Sequence, residues 1–362
     1  MRMNSFVPAL VLSLLVIAGQ TGLVVAQPAK PPFYADKAKL LVYLDEGGKP
    51  VPVKTLEDWQ KRREHILANM QLVMGPLPTD ASKVPLDLKI ESEEMLAKVV
   101  RKKITFAVGK DDRVTAYLLI PRDLKEKASA MLCLHQTTGI GKGEPAGVGG
   151  LKNLHYALEL AERGYVTLAP DYPNFGGYKI DVYAKGFASA TMKGIWNHMR
   201  AVDLLQTLPE VDGTRIGCIG HSLGGHNSLF VASFDTRLKV VVTSCGFNSF
   251  LKYEKGNITG WSHKGYMPRI ATEYNRDATK MPFDFTEILG ALAPRAVFIN
   301  APLHDDNFSV EGVRDCVAAA QPVYRLHNAE TNLGAFYPDA KHDFPPDIRQ
   351  RAYGFIDRHL RR

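Results

Sequence analysis

From Ala128 onward, short continuous apolar runs alternate with stretches of helical periodicity, and this limits the fold more than any other feature of the chain. The runs are Ala130–Leu134, Tyr165–Ala169, Arg215–Ile219, Val240–Ser244, Arg295–Ile299 and Val323–Leu326. Between most of them lie helical patterns, Leu154–Arg163, Thr191–Leu208, Ser222–Ser233 and Val310–Ala320, and Asp347–Leu360 closes the chain. A strand that is apolar along its whole length has to be covered on both faces, and parallel neighbours need a crossover long enough for a helix. The pattern predicts an α/β fold: a mostly parallel, doubly wound sheet with helices on both faces.

Upstream the pattern differs. Thr55 to Val73 carries apolar residues near helical spacing behind a Thr55–Asp58 capping pair, and Gly75-Pro76 ends it. The segments Leu86–Glu91, Val99–Val108 and Val114–Ile120 mix polar and β-branched residues, as antiparallel strands at a sheet edge do. Residues 27–127 are therefore expected to form an N-terminal helix and edge strands packed on a core domain of residues 128–362. Within that core, residues 247–291 are longer than a simple crossover and rich in Tyr, Phe, Met and Gly. A cap-like insert or pocket wall is expected there.

The first residues read as an export signal. Arg2 precedes an apolar stretch from Phe6 to Ala18, and Val24-Val25-Ala26 offers small residues for cleavage before Gln27. Gly19, Gln20 and Thr21 interrupt the apolar run, which favours a cleaved signal over an uncleaved anchor and predicts a secreted or periplasmic protein without stable membrane insertion. The formal charge of +7 is modest, and Lys and Arg are scattered without interleaved aromatics, so no nucleic-acid partner is expected. Cys133, Cys218 and Cys245 lie in or beside apolar runs and, with Cys316, are read as buried thiols, disulfides remaining open. No metal-ligand spacing occurs, and no metal or organic cofactor is expected.

The chemistry centres on Gly220-His221-Ser222-Leu223-Gly224-Gly225, which follows the Arg215–Ile219 run and opens a helical pattern. A strand-to-helix turn this tight leaves no room for bulky neighbours and presents its serine at the strand end. The Leu223 N–H, at the helix start, is a candidate oxyanion donor. A serine hydroxyl needs a base, and the base needs a carboxylate to fix its tautomer. In strand–turn–helix hydrolases the chain order is Ser, then acid, then His. Asp305 and Asp306 follow the Arg295–Ile299 run and are the acid candidates. Of the histidines beyond them, His327 sits at the edge of the presumed last strand and His359 among arginines on the final helix. His342 lies in the loop before that helix and suits the base. The second oxyanion donor belongs on the loop after Ala130–Leu134, where the Gln136 N–H is the candidate and His135 has a structural role. Trp261, His263, Tyr266 and Met267 in the insert are candidates for substrate contact or for the core of a cap, whereas Arg200 and Asp203 read as a helix-stabilising pair.

From Ala130 to the C-terminus the chain resembles the α/β-hydrolase superfamily. Within it, it is similar to the bacterial group related to dienelactone hydrolases, acetyl xylan esterases and prolyl-oligopeptidase-type catalytic domains. The matching stretches are Gly164-Tyr165-Val166 to Asp171, Leu208-Pro209-Glu210-Val211-Asp212, Arg215-Ile216-Gly217, the elbow extended by Gly225-His226, Ser244-Cys245-Gly246, and His342-Asp343-Phe344-Pro345. The resemblance implies Ser222 as nucleophile and His342 as base. It also implies Asp305 as acid, because the oligopeptidase-like acid opens an Asp-Asp-Asn run and Asp305-Asp306-Asn307 matches it. The serine argues against the dienelactone reaction, which uses cysteine. Gln136-Thr137-Thr138 replaces the usual glycine-rich oxyanion loop. The N-terminal part is too short for an oligopeptidase propeller, so ester cleavage is expected over peptide cleavage, with a small-molecule or carbohydrate ester as substrate.

Overall fold

The computed structural model describes residues 30–361; the expected export signal and its expected cleavage site lie outside them. In chain order the elements are β1 (Val42–Leu44), β2 (Pro50–Pro52), α1 (Leu56–Met74), β3 (Lys89–Met95), β4 (Val99–Gly109), β5 (Asp112–Pro121) and β6 (Ala128–Leu134). There follow α2 (Tyr156–Glu162), β7 (Val166–Pro170), α3 (Ala190–Thr207), β8 (Val211–His221), α4 (Leu223–Phe234) and β9 (Leu238–Ser244). The chain ends with α5 (Arg269–Thr272), α6 (Phe285–Leu292), β10 (Ala296–Asn300), α7 (Val310–Leu326), β11 (Leu333–Phe336) and α8 (Pro346–Leu360).

Nine strands form one sheet in the order β11-β10-β9-β8-β6-β7-β5-β4-β3, and β1 and β2 pair separately. Strands β6 to β11 are parallel to one another, while β3, β4 and β5 run antiparallel to their neighbours. Side-chain alternation divides the core. Met131 and Cys133 of β6, with Val240 and Val242 of β9, face a layer made by α2 and α8. Ala130, Leu132 and Leu134 face the opposite layer, to which α1, α3, α4, α6 and α7 contribute. This is the mostly parallel, doubly wound α/β sheet with antiparallel N-terminal strands that the alternation predicts.

One strand is not where the sequence pattern suggests. Val323–Leu326 is the last turn of α7, and the final strand is Leu333–Phe336. The cause is packing. Val313, Cys316, Val317, Ala320, Val323 and Tyr324 repeat at helical spacing and are all buried, so the face that starts the helix carries it past Pro322. His327 accordingly caps a helix rather than edging a strand.

In α1, Thr55 and Asp58 form a reciprocal capping box. The helix is tied to the core by a buried ion pair from Arg62 to Glu287 of α6. All four cysteines are buried and free. No helix among the described residues is long and apolar enough to cross a membrane.

Candidate active site

The elbow forms because two glycines remove side chains where backbones meet. A Cβ on Gly224 would sit 1.9 Å from the Leu134 carbonyl oxygen, and one on Gly220 would sit 2.2 Å from that of Gly224. The turn they permit holds Ser222 at φ 53°, ψ −115°, a left-handed conformation that a serine adopts only when its surroundings compel it. Those surroundings are hydrogen bonds on both sides. The Ser222 N–H donates to the Ser244 carbonyl at 2.8 Å, and the Ser222 carbonyl accepts from Gly225 N–H at 2.9 Å. As the first residue of α4, Leu223 has an N–H without an intrahelical partner, at the positive end of the helix dipole.

Asp305 and His342 meet. His342 Nδ1–H donates to Asp305, with Oδ1 at 2.9 Å and Oδ2 at 3.0 Å. The Asp305 side chain is 1% exposed and also accepts from the N–H groups of Asn307 and Phe308, so its carboxylate is fully engaged. Burial pushes this carboxyl up, but the His342 contact and the two N–H groups together outweigh it and hold it below the usual range. Asp306 next to it is exposed. The His342 ring lies edge-on to His221, the residue before Ser222, with ring centroids 4.9 Å apart, which brings the imidazole to the elbow. His359 is exposed on the last turn of α8.

Several residues that frame this site have no role that the sequence alone assigns. His221 is buried, with Nδ1 2.9 Å from Ser244 Oγ, and burial drives it down to about 3, so it stays neutral beside His342. Asn300, at the end of β10, donates to Ser244 Oγ at 2.8 Å and to the Asp343 carbonyl at 2.9 Å, tying the elbow to the His342 loop. Cys245 Sγ comes within 4.8 Å of the Asp305 and His342 ligand atoms, a set that could in principle hold a metal. The Asp305–His342 hydrogen bond already accounts for that closeness. Only the Ser244-Cys245-Gly246 match hinted at this group.

The loop after β6 is clamped rather than free. His135 Nδ1–H donates to the Gln136 carbonyl at 2.6 Å, while Tyr172 N–H donates to His135 Nε2 at 3.0 Å. Both ring nitrogens are used, which fixes the tautomer and the direction of the Gln136 peptide. Behind it, the buried Asp171 carboxylate accepts from Lys142 Nζ at 2.6 Å and from Lys142 N–H at 2.8 Å.

Thr137, Phe175, Tyr183, His263 and Tyr266 line a cavity of about 830 Å³ beside this loop. Trp261 and Met267 are buried in the core. Trp261 packs against His226 of the first turn of α4, with ring centroids 4.8 Å apart. The insert thus splits its candidates, His263 and Tyr266 toward the cavity and Trp261 and Met267 toward the interior. Arg200 pairs with Asp203 at 2.5 Å, the helix contact its spacing suggests.

Comparisons with known proteins agree with this architecture. The family model described as "Glucuronyl esterase, fungi" matches residues 176–327, a span that contains Ser222 and Asp305. The chain is similar to the Bacillus subtilis protein YtaP, with 25% identity over 301 residues, 80% of this chain and 96% of that one. It is also similar to carbohydrate esterase MZ0003 from an unknown prokaryotic organism, with 25% identity over 177 residues, 43% of this chain and 40% of the other. A glucuronoyl esterase structure from Solibacter usitatus superposes with a TM-score of 0.68 at 20% identity, covering 91% of this chain and 99% of that one. In its sheet order and its elbow the chain shares the α/β-hydrolase fold of these esterase structures.

Proposed function

We propose that the protein is an exported serine esterase acting on carbohydrate esters through an acyl-enzyme. The observation that carries the reading is the His342–Asp305 pair held at 2.9 Å beside a strained serine elbow. Asp305 holds the His342 imidazole with its proton on Nδ1, leaving Nε2 to accept the Ser222 proton as Oγ attacks the ester carbonyl. The Leu223 N–H, with the Gln136 N–H from the clamped loop, stabilises the developing oxyanion. His342 then protonates the departing alcohol, activates water and releases the acid. No step calls on a metal or organic cofactor.

Three things support a carbohydrate ester as substrate: the match to the glucuronyl esterase model, the likeness to carbohydrate esterase MZ0003, and the leader-like N-terminus. The cavity beside Thr137 is lined by aromatic and polar groups that suit a sugar ring. The test is hydrolysis by the purified protein of an aryl acetate, an acetylated xylan and a methyl ester of a uronic acid, beside Ser222→Ala. Turnover of at least one, lost in the variant, is expected. Acetate or methanol release then tells whether the sugar supplies the alcohol or the acid. A well-folded protein that hydrolyses none would overturn the proposal. Turnover of amides alone would favour a peptidase using the same residues.

A further inference from the structure

At the opposite end of the sheet from the elbow, basic side chains gather without an acid to answer them. Arg63 of α1, Lys239 at the start of β9, Arg295 just before β10 and His327 after α7 line one pocket of about 400 Å³, together with Trp59. Lys239 lies near the start of β9 and Ser244 at its end, so the pocket and the elbow are separated by about 17 Å of strand.

Among the described residues, none of Arg63, Lys239, Arg295 and His327 forms an ion pair, and burial disfavours the charged form of His327. Arg63 donates through Nε to the Ala291 carbonyl at 3.0 Å and through Nη2 to the Ser233 carbonyl at 2.8 Å, at the last turns of α6 and α4. Arg295 donates through Nη1 to the Asp235 and Leu238 carbonyls. Lys239 reaches only the Thr236 carbonyl, at 3.3 Å. Carbonyls at helix ends and at the start of β9 explain why the arginines are tolerated, but they occupy only part of each guanidinium: among the described residues, Nη1 of Arg63, and Nε and Nη2 of Arg295, have no hydrogen-bond partner. The acids that act on them electrostatically are engaged elsewhere. Asp235 is bonded by Arg237, and Glu64 accepts from the Gln60 amide.

Two further ring nitrogens in the lining have no partner among the described residues. Trp59 is 2% exposed and its indole N–H is buried without a partner. Nε2 of His327 is likewise buried and unpaired. An indole nitrogen can only donate, and leaving a buried donor unmet costs roughly 1–3 kcal/mol, so an acceptor in this pocket would relieve a standing penalty. Burial and the facing Arg63 together press Arg295 down to about 10, the mark of like charges held close in a poorly solvated place.

We propose that this pocket binds a small oxyanion, a phosphate or a sugar carboxylate, between Arg63, Arg295 and Lys239, with Trp59 donating to it. Both ligands present the same chemistry, a compact negative charge with several acceptor oxygens. The site is independent of the ester chemistry, and its occupancy does not require Ser222.

The test titrates the purified full chain with sodium phosphate and, separately, with sodium glucuronate. Ionic strength is held constant with sodium chloride, and calorimetry and tryptophan fluorescence are read. The Lys239→Glu variant reverses an exposed charge whose only protein contact is one carbonyl, so it leaves the fold intact, and it leaves ester hydrolysis unchanged. Saturable binding of either anion is expected, weakened about tenfold in Lys239→Glu and a few-fold in Trp59→Phe, and unaltered in Ser222→Ala. The tighter of the two anions identifies the source. No saturable response to either anion beyond chloride would overturn the proposal. So would binding that Lys239→Glu leaves untouched, which would mean an adventitious ion only.

Discussion

The elbow and the long insert after β9 stand side by side around His226, yet opposite kinds of force set them in place. At the elbow the constraint is local backbone geometry: Gly224 leaves no space for even a methyl group, and Ser222 is held at positive φ by hydrogen bonds fore and aft. In the insert the constraint is distant packing. Phe250 and Trp261 meet Phe283, Phe285 and Phe308 in one aromatic cluster, with Phe250 1% exposed. The difference teaches where to look for each kind of failure. Changes to the reacting side chains at the elbow should cost rate while sparing stability, and changes in the insert's interior should cost stability while sparing the chemistry of whatever remains folded.

The largest effect tests the elbow. Ser222→Ala should lower kcat by about 10⁴-fold or more with Tm unchanged, measured on the best ester substrate. Next comes Asp305→Asn, expected to cost about 10²–10⁴-fold in kcat by freeing the wrong His342 tautomer, whereas Asp306→Asn should leave the rate alone. If Asp306 proves the more costly, the acid assignment is wrong. In the insert, Phe250→Ala should lose about 3–5 kcal/mol of stability by denaturant unfolding, with kcat per folded molecule nearly kept. A rate loss without a stability loss there would break the comparison.

A smaller effect follows from Asp284, the N-cap of α6, whose buried carboxyl is pushed up to about 7, chiefly by burial. Its folded value lies above its unfolded one. The unfolded chain therefore releases this proton first, and the native state loses stability as pH rises from about 4 to 7. Asp284→Asn cannot titrate and keeps the capping oxygen. It should gain on the wild type by about 1–3 kcal/mol between pH 5 and pH 8, read as a difference in unfolding free energy. The smallest expected change is for His263→Ala, an exposed lining residue of the cavity. A few-fold rise in KM with kcat unaltered is anticipated.

This contrast also explains what could be read from the residues alone. Strands β6 to β10 were legible because two covered faces demand continuous apolar runs, and the elbow because few sequences satisfy its sterics. The last strand was not. Leu333-Gly334-Ala335-Phe336 is half-buried throughout and short, so it carries no apolar run, while Val323–Leu326 does and is helical. The Asp305–His342 contact was foreshadowed by chain order and by the Asp-Asp-Asn resemblance. The Asn300–Ser244–His221 links were not, because their partners lie 23 to 56 positions apart and polar residues at strand ends have no periodicity to betray them. The same holds for Trp59, Arg63, Lys239 and Arg295, which come together only once α1 is laid across the ends of β9 and β10.

The central claim, that Ser222 is a nucleophile activated by His342, is tested most directly by a fluorophosphonate reagent followed by peptide mass spectrometry. The account predicts one stoichiometric adduct on the peptide bearing Ser222, absent in Ser222→Ala and much slowed in His342→Gln. A folded protein that remains unlabelled, or an adduct on any other residue, would contradict it.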